Sequence, residues 1–308
     1  MTVDTWYGFL LRHLVRPYQL HCHGKHVGRL KFVNGRSARY VLETNIEQFY
    51  FNPEGEIYID KVSQFACKLQ RESGGKPIAR LQQVFDRICI DECQDLAGYD
   101  LELIELLLDS DIEVVLVGDH RQATFQTNKS AKNKGFGRAK IIDKFEEWAM
   151  AGRANLDYQT ESHRCVQTIC DFSDQLFPNL PKTTSLNTRK TGHDGVFALH
   201  HCDVAAYMDD YAPQTLRYSR ATKNVPGTPL NFGEAKGMTF ERTLIFPHKK
   251  LEKYLQTGVP TDAGEELAKI YVAVTRAKQS AAFVLPDKVE RAVVPFQTIR
   301  RRAPLSVG

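Results

Sequence analysis

Two short apolar runs, each closing on acidic residues, constrain this chain more than any other feature. The first is Arg87-Ile-Cys-Ile-Asp-Glu-Cys-Gln-Asp95 and the second is Val114-Val-Leu-Val-Gly-Asp-His-Arg-Gln122. Residues 88–90 and 114–117 have the composition of buried strands. Residues 99–108 between them carry apolar side chains at helical spacing, which places Leu101, Ile104 and Leu108 on a buried face. A strand, a helix and a second strand of this kind make one unit of parallel sheet. Both acidic ends then leave the carboxyl edge of the strands, where open α/β sheets bind ligands.

The pattern returns further on. Residues 195–200, 242–246 and 280–285 read as strands, and 265–278 as a helix opened by a capping box from Asp262 to Glu265. A break is expected around 150–162. Near the N-terminus, 5–18 reads as an amphipathic helix stopped near Pro17, and 31–51 alternates enough to suggest a small antiparallel sheet or hairpin. Gly74-Gly75-Lys76-Pro77 is the nearest approach to a phosphate loop. It lacks the earlier glycine and the hydroxyl after the lysine, and Pro77 has no N–H to donate, so it reads as a turn.

Composition narrows the class. With 308 residues, 42% hydrophobic and 25% charged, the chain can bury one or two cores and holds no apolar run that spans a bilayer. Residues 1–19 carry Arg12, His13 and Arg16 inside their apolar stretch, unlike a signal peptide. Seven cysteines, an odd and scattered set, point to reduced thiols in a cytoplasmic protein. A net charge of +4 permits a polyanionic partner without requiring one. His21-Cys22-His23 with His26, and His200-His201-Cys202, lack the paired spacing that closes a zinc tetrahedron and read as solvated loop or strand-end residues. The terminal Arg300-Arg301-Arg302 reads as a solvated end.

Three later stretches join the first two: Ser162-His-Arg-Cys165, Ala235-Lys-Gly237 and Tyr271-Val-Ala-Val-Thr-Arg-Ala277. In this order the five resemble motifs II to VI of the UvrD/Rep-like superfamily 1 DNA helicases, over roughly residues 1–285. Motif I, the G-x-x-x-x-G-K-[ST] loop, is absent from the 308 residues. The resemblance implies an α/β protein with two RecA-like parallel-sheet lobes of the P-loop NTPase type. The first lobe would be incomplete at its N-terminus and would carry a small inserted subdomain. Residues 1–80 would be part of the first lobe plus the insertion, 81–160 the rest of that lobe, 161–290 the second lobe and 291–308 a tail.

By the same resemblance the cofactors are ATP and Mg²⁺, with Asp91 the magnesium residue, Glu92 the catalytic base and Gln122 the γ-phosphate sensor. Arg164 and Arg276 would face the γ-phosphate, whose transfer spreads negative charge that a fixed guanidinium matches. His163 stands where the family has a tyrosine stacked on the nucleotide base, and Lys236-Gly237 matches the core of motif V. Asn231, Gly233 and Thr239 depart from that motif. Phe125 falls where the family stacks an aromatic on a DNA base, and Lys129, Lys132, Lys134, Arg138 and Lys140 beside it would carry part of a single-stranded DNA path. The expected function is an ATP-dependent DNA helicase or translocase, N-terminally truncated so that its phosphate loop would lie upstream. The rivals are a non-hydrolysing pseudo-helicase that binds nucleic acid or a partner, and a split enzyme whose loop comes from another polypeptide.

Overall fold

The computed structural model describes residues 2–128, 130–263 and 266–297. Lys129, Glu265 and Arg300 to Arg302, all invoked above, lie outside them. The chain divides into two compact units, residues 1–156 and 157–308.

In the first unit, the Thr5 hydroxyl accepts from Gly8 N and starts α1 (Trp6–Phe9), which runs into a π-helical stretch at Leu10–Val15. Leu10, Leu11, Leu14 and Val15 are buried, as the amphipathic pattern requires. Strand β1 (Leu30–Lys31) pairs in parallel with β2 (Ile57–Tyr58), and between them lies a short helix, α2 (Ile46–Tyr50), capped by Asn45. The hairpin expected over 31–51 does not form. Phe49, Tyr50 and Phe51 are consecutive and all buried, the last two against Phe65 at centroid distances of 4.9 and 5.3 Å. A strand would send the middle one to the opposite face.

Helix α3 (Val62–Glu72) turns through Gly74 and Gly75, at φ +67° and +86°, into α4 (Lys76–Val84). This is the turn read from the sequence. Next come β3 (Arg87–Ile90), α5 (Tyr99–Leu108) and β4 (Glu113–Leu116), with Ile88 opposite Val114 and Ile90 opposite Leu116 in a parallel ladder. Leu101 and Ile104 are buried in α5 as expected, but Leu107 takes the place assigned to Leu108, which is half-buried. Helix α6 (Ile141–Met150) buries Trp148, whose indole N–H donates to Glu105 at 3.1 Å.

The second unit opens with β5 (Glu161–Ser162), α7 (Gln167–Gln175) and β6 (Thr184–Ser185), followed by β7 (Gly195–His200), α8 (Val204–Tyr211), β8 (Gln214–Arg217) and β9 (Leu230–Asn231). It continues with β10 (Phe240–Phe246), α9 (Lys249–Thr257), α10 (Pro260–Ala263), α11 (Leu267–Thr275) and β11 (Ala277–Leu285). Five strands form one all-parallel sheet in the order β7-β11-β10-β8-β9. Strand β11, flanked by β7 and β10, is buried along its length except at Lys278, which explains its near-continuous apolar reading. The helix expected over 265–278 is shorter at its C-terminal end. It stops at Thr275 because Ala277 already pairs with Phe240, whose N–H donates to Arg276 O at 2.8 Å. The protein is thus an α/β chain built on parallel sheets.

Candidate functional site

In the first unit, the segments after β3 and β4 run side by side at the carboxyl edge of the strands. The register is extended by Val117 N donating to Ile90 O and Cys93 N donating to Val117 O. Asp91 and Glu92 follow β3 and are both exposed. Asp91 accepts from the Glu92 N–H at 2.8 Å, and Glu92 holds a left-handed backbone at φ +54°, a conformation that costs energy for a non-glycine residue. Gln94 is 1% exposed and spans the two segments. Its amide N–H donates to the Glu92 carboxylate, and its Oε1 accepts from Asp119 N at 3.1 Å.

Asp119 caps the turn 120–122. Its carboxylate accepts from Arg121 N at 3.0 Å, from Arg121 Nε at 2.8 Å and from Gln122 Nε2 at 3.1 Å. Asp91, Glu92 and Gln122 therefore belong to one cluster joined through Gln94 and Asp119. Beneath it, burial pushes the Cys93 thiol up to about 12, with the Asp91, Glu92 and Asp95 carboxylates acting in the same direction, so Cys93 is a packing residue. Beyond the turn, Phe125 is 57% exposed and Lys132, Lys134, Arg138 and Lys140 are exposed. Phe125 is therefore not a core residue.

Asp100 was missed by sequence reasoning. It is fully buried in α5 and accepts from Trp6 Nε1 at 2.7 Å, Asn128 Nδ2 at 3.0 Å and Ala97 N at 3.2 Å, and from the hydroxyls of Ser63 and Thr127. Burial raises its pKa while these hydrogen bonds oppose the rise. One carboxylate thus fastens α1, α3 and the segment after Phe125 to α5. An acidic residue among the apolar positions of a first helical turn was the available signal.

In the second unit, Arg164 and Arg276 meet at the end of α11. Arg164 Nη1 donates to Thr275 O at 3.4 Å, and Arg276 Nη2 to Thr275 Oγ1 at 3.3 Å. Arg276 is only 2% exposed, with Nε donating to Val272 O at 3.2 Å and Nη1 to Met238 O at 3.3 Å. Burial raises the pKa of Cys165 while the two guanidinium groups pull it back. His163 is exposed, Lys236 is half-buried, and Gly237 holds φ +78° in the turn before β10.

Among the described residues no group of three or more His, Cys, Asp or Glu is placed to hold a metal. His23, read from the sequence as a solvated loop residue, is buried and stacked on Phe51 at 4.0 Å. As donors, Asp91 and Glu92 are exposed carboxylate oxygens at a strand end, the ligand type that Mg²⁺ takes.

The acidic pair and the Asp-x-x-Gln turn thus lie together at the carboxyl edge of a parallel strand pair, where open α/β sheets bind ligands. Residues 48–140 match the family model of the UvrD/REP helicase N-terminal domain. The resemblance to UvrD/Rep-like superfamily 1 helicases is thereby borne out over the part of the chain that holds motifs II and III. Among solved structures, the chain is similar to the helicase of PRRSV, at 15% identity and a TM-score of 0.40, covering 68% of this chain and 37% of that one. It is also similar to an arterivirus nonstructural protein 10 (helicase) in complex with DNA, at 18% and 0.41, covering 65% and 39%. A third similarity is to the C-terminal domain of a possible DNA helicase from Lactobacillus plantarum WCFS1, at 17% and 0.26, covering 41% and 88%. The chain spans less than half the length of the two viral helicases. No curated protein matches it.

Proposed function

We propose that this chain carries the hydrolytic and strand-contacting residues of an ATP-dependent DNA translocase that acts on single-stranded DNA. The observation that carries the reading is buried Gln94, which ties Glu92 to Asp119 and so couples the acidic pair to the turn that bears Gln122 and leads on to Phe125. Asp91 would hold magnesium, and Glu92 would orient and deprotonate a water. Gln122 would respond to the γ-phosphate, and Arg164 and Arg276 would face its charge. His163, Lys236 and Gly237 would border the nucleotide, and Phe125, Lys132 and Arg138 the strand. Bound magnesium–ATP supplies the phosphoryl group and its charge; the residues named here position, polarise and sense it. Among the described residues no helix is long and apolar enough to cross a membrane, and free thiols at Cys67, Cys93, Cys165 and Cys170 suit a reducing cytoplasm.

The sequence holds no phosphate loop, so the purified chain should turn over ATP far below ordinary helicase rates. Supplying a strand, a phosphate loop and its helix, fused or as a second polypeptide, should raise turnover, and Glu92→Gln should abolish the gain. Rapid DNA-stimulated hydrolysis by the chain alone, or no gain on fusion, would overturn the reading. The burial of Arg276 favours a second reading, a non-hydrolysing nucleic-acid-binding relative. An arginine that acts on the transition state makes Arg276→Ala lower turnover of the fused protein about a thousandfold with little change in nucleotide affinity. Indifference of turnover to that substitution would select the second reading.

A further inference from the structure

Residues 25–42 of the first unit have an unusual composition for an exposed segment. Lys25, Arg29, Lys31, Arg36 and Arg39 are all exposed, and the stretch holds no acidic residue. Two large rings stand out within it, Phe32 at 73% and Tyr40 at 99% exposed. Lys25 and Lys31 are balanced by Glu47 at 3.3 Å and Glu56 at 3.8 Å. Arg29, Arg36 and Arg39 have no carboxylate within ion-pair distance among the described residues. Cations alternating with open aromatic faces are what a flexible polyanion with stackable bases requires.

Arg36 also lines a cavity of about 140 Å³ together with Asp60, Lys61, Gln64, Tyr99 and Lys132. Lys61 is 3% exposed, and its ammonium lies 3.8 Å from the centroid of the Phe49 ring with no carboxylate in ion-pair contact among the described residues. Burial and the Arg36 charge lower its pKa while the Asp60 and Glu43 carboxylates act against the fall, so an anion in the cavity would add to the counter-charge these carboxylates supply. Asp60, the acidic member, is already engaged by Ser37 N at 2.9 Å and Ser37 Oγ at 2.7 Å, and Lys132 is paired with Glu102 at 3.1 Å. The cavity admits a phosphate group and presents cations from three separate segments of the chain.

We propose that residues 25–42 and the Arg36–Lys61–Lys132 cavity form a second contact surface for single-stranded nucleic acid, a backbone phosphate seated in the cavity and unpaired bases stacked on Phe32 and Tyr40. This rests on the nucleic-acid reading above but uses residues apart from the Phe125 path, except for Lys132, which borders both. Arg36, Arg39, Phe32 and Tyr40 are exposed, so substituting them leaves the core intact.

The test is fluorescence anisotropy of the full chain with a labelled oligothymidylate, an abasic strand of equal length and inorganic phosphate as competitor. The double variants Arg36→Ala/Arg39→Ala and Phe32→Ala/Tyr40→Ala should each weaken binding about tenfold. The first should flatten the salt dependence by roughly one to two phosphate contacts, and the second should leave it unchanged while narrowing the preference for oligothymidylate over the abasic strand to what the Phe125 path supplies. Phosphate at millimolar concentration should compete with the wild type and not with the arginine variant; competition without any preference for bases would reduce the site to one for free phosphate and overturn the proposal. Wild-type binding that neither double variant weakens would overturn this surface and leave the helicase reading standing. A wild type that binds no strand would remove both.

Discussion

At Gly118 an added methyl group would lie 2.3 Å from Gln94 Oε1, 2.8 Å from the Cys93 sulfur and 3.1 Å from the Cys93 N atom. None of these can give way cheaply: Gln94 is bonded at both ends and Cys93 N is part of the extended ladder. Gly118→Ala should therefore push the two segments apart and destabilise the first unit by about 1–3 kcal/mol. Gly135, with nothing near its Cβ position, is the control, and Gly135→Ala should stay within about 0.5 kcal/mol. Urea denaturation monitored by circular dichroism separates them, and equal midpoints would refute the close-approach argument. The glycine was legible as a letter in the Gly-Asp-x-x-Gln motif. Its reason was not, because the atoms it must clear belong to the preceding strand's loop.

Among the elements, the face between β7 and α8 titrates. His193 stands before β7, stacked between Phe197 at 4.5 Å and Tyr211 at 4.0 Å, with its Nε2 and the Tyr207 hydroxyl 2.9 Å apart. Burial, aided by the Arg242 charge, lowers its pKa from 6.5 to about 4. A depressed histidine binds its proton more weakly in the folded chain than in the unfolded one. Its contribution is therefore whole above pH 6.5 and is lost as pH falls toward about 4, at a cost on the order of 3 kcal/mol. His193→Phe should flatten that part of the stability profile. Denaturation midpoints at pH 7, 5.5 and 4.5 with an unchanged slope in the variant would show that other groups carry the acid sensitivity. The strands around this face, β7, β10 and β11, were read correctly from their apolar runs, and the N-terminal helix from its periodicity. The 31–51 hairpin failed because local alternation does not report that three successive aromatics share one pocket.

For the molecule as a whole, each unit has a core of its own. One cluster gathers Leu10, Tyr50, Phe65, Ile104 and Trp148, and others gather Ile169, Phe232, Ile270 and Phe283, and Leu199, Tyr207 and Leu244. Residues 155–160 between the units are exposed, with Leu156 and Tyr158 at 38% and 41%. Limited chymotrypsin digestion should cut there, as well as at the more open Phe32 and Tyr40, and leave a protease-resistant second unit that begins near residue 157 beside a resistant piece of the first. Degradation without a persistent pair would show that neither unit stands alone. The sequence by itself determined the parallel strand-helix-strand unit, the principal strands of the second sheet and the order of its motifs, because polarity period and motif spacing are local properties. Tertiary structure alone decided that Gln94 bridges the two acidic segments, that Asp100 gathers donors from Trp6, Ser63 and Thr127, and that Arg276 turns inward onto backbone carbonyls. Each of these depends on which distant segments come to share a volume, and no local pattern of side chains encodes that.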